Sequence, residues 1–215
     1  TTYAWGSGAS EGSTIPKKFS NNLTGFTQIA LGANSFACGV KYNGTNSGDA
    51  YCWGQFNSQG QIGFGDTSPH LTPQRVKISA TPTYLTDVAQ IGVGTYHSCA
   101  STTTSKLVYC WGDHSNHGQL GIGMTVANGS IFDCDATATI KPCSKYANPV
   151  PDLSDIIEFK AIGLFSNCAK TSAGQLWCWG ANDGALGTGN SGSGLSTPYY
   201  MVYGTPSPVN VLSNV

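Results

Sequence analysis

Charge is scarce in this sequence. Only 10% of its 215 residues are charged, and ten Lys and Arg residues against eleven Asp and Glu residues give a formal net charge of −1. That balance supplies no basic face for nucleic acid or anionic lipid, so we expect neither as a partner. No apolar run approaches about eighteen residues, which excludes a membrane-spanning helix. Thr1 does not open a cleavable signal sequence, which predicts a mature chain or an excised segment.

One pattern recurs through the chain. A glycine is followed five or six residues later by a cysteine, then a polar stretch, then Cys-Trp-Gly beginning at Cys52, Cys110 and Cys178. A Gly-x-apolar-Gly turn follows each copy, and a cysteine-free copy, Tyr3-Ala-Trp5-Gly6, opens the chain. The repeats are roughly fifty to seventy residues long, which fits β-propeller blades better than helical solenoids.

The repeat predicts an all-β protein whose propeller-type blades each have four antiparallel strands and a disulfide-stapled hairpin. We expect each fourth strand to follow a proline, as at Pro73, Pro149 and Pro198, and to form the outer edge of its blade, where proline is tolerated. The prediction is a single propeller-type domain over residues 1–215, with three complete blades and partial blade strands at both ends. Its parts are a partial blade 1–20, blades 21–78, 79–153 and 154–204, a terminal strand 205–215, and an insertion loop 124–148.

Eight cysteines allow 105 pairings by arithmetic alone. In each copy the first cysteine lies on one predicted strand and the second on the next, where facing Cα atoms are about 4.5–5.5 Å apart, within bridging range. Disulfides form in oxidising compartments, so we expect an extracellular or cell-surface location. The predicted bridges are Cys38–Cys52, Cys99–Cys110, Cys168–Cys178 and, in the insertion, Cys134–Cys143.

The sequence gives little support for a metal site or a catalytic site. Zinc usually requires closely spaced Cys pairs or nearby His ligands, and Asp113, His114 and His117, which could imitate such a site, fall in a turn that we expect to be solvated. No calcium-loop pattern is present. His97 stands where we align Phe36 and Asn167 in the other copies, which favours a structural role. We therefore predict no catalytic residues, no metal, no cofactor and no enzyme activity.

The segments His97-Ser-Cys-Ala100, Val108-Tyr-Cys-Trp-Gly112 and Gly118-Gln-Leu-Gly121 resemble the repeat of the regulator-of-chromosome-condensation propeller family, in its secreted bacterial form. The resemblance covers almost the whole chain. It implies a β-propeller whose members mostly bind other macromolecules. One nuclear member is an exchange factor for a small GTPase, which disulfides and a near-neutral face disfavour here, and another bacterial member inhibits a secreted enzyme.

We therefore expect a non-enzymatic extracellular module for protein interaction or for cell-surface recognition and adhesion, with a protein or a surface glycan as its partner. Two alternatives stay open: a structural subunit of an extracellular filament or appendage, and an inhibitor of a secreted enzyme. Family propellers usually have about seven blades, and both ends of this chain fall within one blade unit. We expect either a longer chain or neighbouring copies that self-associate through open blade edges.

The stapled insertion departs most from the repeat, and its apolar and aromatic residues Ile131, Phe132 and Tyr146 are the candidate interaction loop. A merely tolerated insertion is the alternative. Three sequons, at Asn22, Asn43 and Asn128, lie in predicted loops and are possible glycosylation sites.

Overall fold

A computed structural model describes residues 3–4, 17–18, 23–44, 47–114, 117–122, 132–134, 142–162, 165–181 and 209–212. These residues form β-strands and turns, and no helix among them is long and apolar enough to cross a bilayer. The strands are β1 (Tyr3–Ala4), β2 (Lys17–Lys18), β3 (Phe26–Leu31), β4 (Phe36–Tyr42), β5 (Gly48–Gly54), β6 (His70–Arg75), β7 (Val88–Val93), β8 (His97–Thr102), β9 (Val108–Asp113), β10 (Phe132–Asp133), β11 (Pro142–Pro149), β12 (Ile156–Ile162), β13 (Ser166–Thr171), β14 (Leu176–Gly180) and β15 (Val209–Leu212).

The strands assemble into three antiparallel units. Unit 1 contains β3 to β6, unit 2 contains β7, β8, β9 and β11 with β10 added at its edge, and unit 3 contains β12 to β15. A single pair, Gly48 with Val88, joins the sheets of units 1 and 2, while β1 and β2 pair with each other. The predicted all-β fold of four-stranded, blade-like units is confirmed, and the strands that the structure describes do not close into a ring.

Each unit contains the predicted stapled hairpin. The cysteines of each hairpin face each other in register, as Cys99 does Cys110, and the four disulfides join the pairs that the repeat predicted. The glycine of each Cys-Trp-Gly has a positive φ, +102° at Gly112. A Cβ at Gly112 would come within 2.5 Å of the carbonyl oxygen of Tyr96, so only glycine lets the hairpin end beside the preceding turn.

The hydrophobic core lies between successive units. Trp111 of unit 2 is fully buried, and its indole Nε1 donates a hydrogen bond of 2.9 Å to the carbonyl oxygen of Gln61 in unit 1. Gly63 of the same turn has a φ of +71°, and a Cβ there would be 2.8 Å from that Nε1. Trp179 meets Gly121 at the same 2.8 Å between units 2 and 3. We call each interface between neighbouring units a seam, and this tryptophan–glycine contact recurs in both of them.

A second seam contact joins the first strands of neighbouring units. The side chain of Gln28 on β3 donates to the carbonyl oxygen of Ile91 on β7 at 2.9 Å and accepts from its N–H at 3.0 Å. The Gln90 side chain on β7 accepts from the N–H of Phe159 on β12 at 2.6 Å. Each glutamine thus replaces, between units, the backbone pairing that strands within a sheet make for themselves.

The fourth strands of all three units differ from the prediction. Pro149 ends β11 rather than opening a strand, because the turn that follows holds Asp152 at a φ of +59°. Pro73 lies inside β6, which among the described strands pairs with β5 alone and so has an outer edge that needs no N–H. The terminal strand β15 pairs with β14 and is the fourth strand of unit 3, not part of a further blade. Pro198 lies outside the described residues.

We expect Gly63→Ala to destabilise the protein more than Gly44→Ala. Both glycines have positive φ, +71° and +95°, but no atom lies within 4 Å of a Cβ at Gly44. Gly44→Ala is the control, and its free energy of unfolding should therefore fall by about 1 kcal/mol from backbone strain alone. The seam variant should lose a further 1–3 kcal/mol, roughly, from overpacking against the indole. Urea unfolding followed by tryptophan fluorescence measures both, and equal losses would contradict the seam.

We expect the double substitution Cys99→Ser and Cys110→Ser to lower the free energy of unfolding by about 2–3 kcal/mol without abolishing the fold. The same change at Cys134 and Cys143 is the matched control, with a sequence separation of 9 against 11. It should cost less, because Cys143 is fully buried but Cys134 only half-buried, whereas both Cys99 and Cys110 are fully buried, so one replacement hydroxyl of the control stays hydrated. An unchanged melting temperature for the first variant would argue against a stabilising bridge.

Candidate interaction surface

Four aromatic side chains form a row across the three units, at the edge where the first and second strands of each unit are joined. Phe56 of unit 1 contacts Tyr96 of unit 2 with ring centroids 6.0 Å apart, and Tyr96 stacks on Phe165 of unit 3 at 6.3 Å. His117 of unit 2 completes the row, 4.9 Å from Phe165. Phe56 is 38% exposed, His117 is exposed, and the two middle rings are half-buried. We call this set the aromatic row.

Tyr96 and Phe165, which carry the two middle rings of the aromatic row, are held by backbone hydrogen bonds. The carbonyl oxygen of Tyr96 accepts from the N–H of Asp113 at 2.9 Å, and that of Phe165 accepts from Ala181 at 3.0 Å. Both bonds tie the turn before a second strand to the residue after the Cys-Trp-Gly glycine. The middle rings are therefore presented by a rigid scaffold, and binding through them would order few new residues.

A buried polar network lies one residue below the row. The Asn167 side-chain amide donates from Nδ2 to the carbonyl oxygen of Gln119 at 2.8 Å, which turns its Oδ1 toward His97. His97 Nε2 lies 3.1 Å from that oxygen and so carries the proton. Ser166, not Asn167, occupies the position equivalent to His97, since each faces the glycine of its own Cys-Trp-Gly. The predicted alignment was one residue off.

His97 is neutral in this setting. It is fully buried, and the loss of hydration lowers its pKa from 6.5 to about 4, although the hydrogen bond to Asn167 and the charge of Asp113 oppose that shift. An imidazole that stays neutral around pH 7 can donate one fixed hydrogen bond across the seam. The structural role predicted for His97 fits this geometry.

The turn expected to be solvated is instead partly buried. Asp113 is 4% exposed and accepts from Gln119 Nε2 at 2.7 Å, while His114 is 2% exposed and its Nδ1 lies 3.3 Å from the N–H of Leu120. The packing of the hairpin end against its own Gly-x-apolar-Gly turn excludes water here. Among the described residues, no group of three His, Cys, Asp or Glu side chains lies close enough to hold a metal ion.

Only part of the predicted interaction loop lies within the described residues. Tyr146 is half-buried, and its ring lies 3.0 Å from where a Cβ on Gly65 of unit 1 would be, so it packs between units. Phe132 lies on β10, opposite Cys143, and Ile131 lies outside the described residues. The candidate glycosylation site Asn43 is exposed, with its Nδ2 3.2 Å from Asp49 Oδ1, whereas Asn22 and Asn128 lie outside the described residues.

Sequence reasoning missed the aromatic row because it looked for recognition residues where the repeat breaks down. The row lies inside the repeat: Tyr96 and Phe165 each stand three positions before the first cysteine of their copy. An aromatic at that position in two copies was a usable signal. What the sequence could not show was that the two rings stack on each other across a seam.

We expect the stability of the protein to fall as the pH is lowered from about 6.5 to about 4, because the unfolded chain protonates His97 in that range while the folded chain does not. Removing the imidazole with His97→Gln keeps a donor to Asn167 and should remove about 3 kcal/mol of that pH dependence. Urea unfolding of both proteins at pH 7 and pH 4 measures the difference. Equal losses in the two proteins would contradict the buried neutral state.

Comparisons with known proteins agree on one repeat. Two profiles of the regulator of chromosome condensation (RCC1) repeat match residues 47–101 and 88–119. The RCC1 domain-containing protein RUG3, mitochondrial, of Arabidopsis thaliana is 29% identical over 148 residues, which cover 68% of this chain and 30% of RUG3. The ultraviolet-B receptor UVR8 of the same plant is 28% identical over 158 residues, which cover 72% of this chain and 31% of UVR8. The E3 ubiquitin-protein ligase HERC2 of Homo sapiens is 34% identical over 150 residues, which cover 68% of this chain and 3% of HERC2.

The chain therefore spans less than a third of the length of these relatives. Among solved structures, Prp20p of Saccharomyces cerevisiae, described with its binding to Gsp1p and histones, superposes with a TM-score of 0.57 at 21% identity over 94% of this chain and 41% of its own. Human WBSCR16 superposes with a TM-score of 0.55 at 13% identity, over 80% of this chain and 37% of its own. The repeat profiles and the fold agree that the chain contains repeats of the regulator of chromosome condensation (RCC1) type.

Proposed function

We propose that this chain is a non-enzymatic protein-binding module that engages its partner through the aromatic row at an extracellular or cell-surface location. The observation that carries the proposal is the row itself: Phe56, Tyr96, Phe165 and His117 span three units and remain partly exposed, and the carbonyl groups of Tyr96 and Phe165 are held by backbone hydrogen bonds. Partly exposed aromatic rings on a rigid base are the usual anchors of protein interfaces.

The chemistry of the row suits a protein partner. Phe and Tyr rings bury large apolar areas and lose little conformational entropy on binding, because each has only two side-chain torsions. The two half-buried rings already stack on each other at 6.3 Å, so they would keep their orientation in a complex. Tyr146, the anchor expected from the insertion, already packs against Gly65 and has less surface to offer.

The family supports the same class of activity. Prp20p is described with its binding to Gsp1p and histones, so a propeller of this fold can act by binding proteins. Its partners need not be those of this chain, since the two sequences are only 21% identical. The location rests on the four disulfides, which persist in oxidising compartments.

The test begins with a photo-crosslinking amino acid placed at Phe56, and separately at Tyr42 as a matched control. Tyr42 is a 56% exposed aromatic residue at the opposite end of the β4–β5 hairpin. Crosslinking in the native extracellular material should yield a protein adduct from position 56 and not from position 42. The crosslinked partner is then identified by mass spectrometry and purified.

With that partner, Tyr96→Ala and Phe165→Ala should each weaken binding by roughly tenfold or more, as expected for a buried aromatic anchor. Tyr42→Ala should leave the dissociation constant unchanged. Isothermal titration calorimetry measures all three. A glycan adduct at position 56, or equal affinity of all variants for the partner, would contradict the proposal.

A further inference from the structure

Register defines three equivalent positions on the face that each unit turns toward the next one along the chain, which we call its trailing face. The first is Gln28 in unit 1, paired with Val40, and Gln90 in unit 2, paired with Ser101. In unit 3 the same position is Glu158, paired with Lys170. All three units have the same bulge just before this residue, so the alignment does not depend on a choice of gap.

The remaining positions follow from the pairs with the first cysteine of each hairpin. Ala30 of unit 1 faces Cys38, and Gly92 of unit 2 faces Cys99. Lys160 of unit 3 faces Cys168. The trailing face of unit 3 therefore has Glu158, Lys160 and Lys170 where unit 1 has Gln28, Ala30 and Val40, and unit 2 has Gln90, Gly92 and Ser101.

The trailing faces of units 1 and 2 are covered by the next unit. Val40 and Ser101 are each 3% exposed. At Gly92 a Cβ would already come within 2.9 Å of the Ala161 Cβ and 3.1 Å of the Phe159 ring, so a larger side chain does not fit. Both glutamines at the first position bind the backbone of the next unit: Gln28 donates to and accepts from Ile91, and Gln90 accepts from the N–H of Phe159.

The residues of unit 3 are incompatible with that packing. Lys160 would place a long charged side chain at the position where unit 2 has no room for a methyl group. An ionised Glu158 can accept a hydrogen bond but cannot donate to a neighbouring carbonyl as Gln28 does. Lys170 would put a charge at a site that is buried in both other units, and an unpaired buried charge is strongly unfavourable. Glu158 and Lys160 are exposed, and Lys170 is half-buried.

We propose that the trailing face of unit 3 is a solvent-facing end of the blade array, whose charged residues reject the packing of a further blade of this repeat. Repeat arrays need such polar outer faces on their terminal units to remain soluble. The proposal concerns this face alone and is independent of the partner proposed for the aromatic row. It argues against self-association of copies through this face.

The test gives unit 3 the residues of unit 1 with the triple substitution Glu158→Gln, Lys160→Ala and Lys170→Val. The variant exposes an apolar sheet face, so its sedimentation coefficient should rise with protein concentration, whereas that of the wild-type protein should not. Lys160→Arg with Lys170→Arg keeps the charges and should behave as the wild type. A folded triple variant that sediments as the wild type does would overturn the proposal.

A measurement on the unmodified protein covers the case in which the triple variant fails to fold. Native protein is labelled briefly with an amine-reactive acetylating reagent and compared, by peptide mapping, with protein unfolded in urea. Lys160 and Lys170 should react in the native protein at rates close to those of the unfolded chain. Protection of both lysines would show that a blade, a second copy or another protein covers this face, and would overturn the proposal.

Discussion

The contact between a tryptophan and the glycine turn of the preceding unit is the constraint on which the rest of this structure depends. In the part of the chain that the structure describes, Trp111 and Trp179 are the two largest fully buried side chains, and each lies against a turn glycine that has no room for a Cβ. The core is thereby built between units rather than within one. A single four-stranded unit would leave its indole and the facing turn in water, so each unit owes its stability to its neighbour.

The seam also determines where the binding surface lies. Ser98, adjacent to the buried His97, donates to the carbonyl oxygen of Gln61, which is the acceptor for Trp111 as well. The residue preceding His97 is Tyr96 of the aromatic row. A change in how units 1 and 2 pack would therefore shift the row. Stability and recognition are linked through this turn, because Tyr96 lies in the aromatic row while the next two residues, His97 and Ser98, are buried against neighbouring units.

Much of the fold could be predicted because the repeat constrains it three times. The pairing of Cys99 with Cys110 followed from their place on adjacent strands, which is a local property. The fourth strand of unit 2 and the placement of β15 did not follow, since each forms after a long insertion and depends on the free edge it meets. The aromatic row and the burial of Asp113 and His114 were missed for a related reason: they depend on packing that the linear sequence does not display.

Departures from the repeat carry as much information as the repeat once the register is known. Glutamine at positions 28 and 90 has a neighbouring backbone to bind, and the change to Glu158 removes the donor that Gln28 uses on its neighbour. A mere drift of surface residues would not be expected to alter three positions on one face together, each toward charge. The seam requires small or neutral side chains wherever a blade follows. Unit 3 has charged residues at all three of these positions, which indicates that no further blade has to pack against that face.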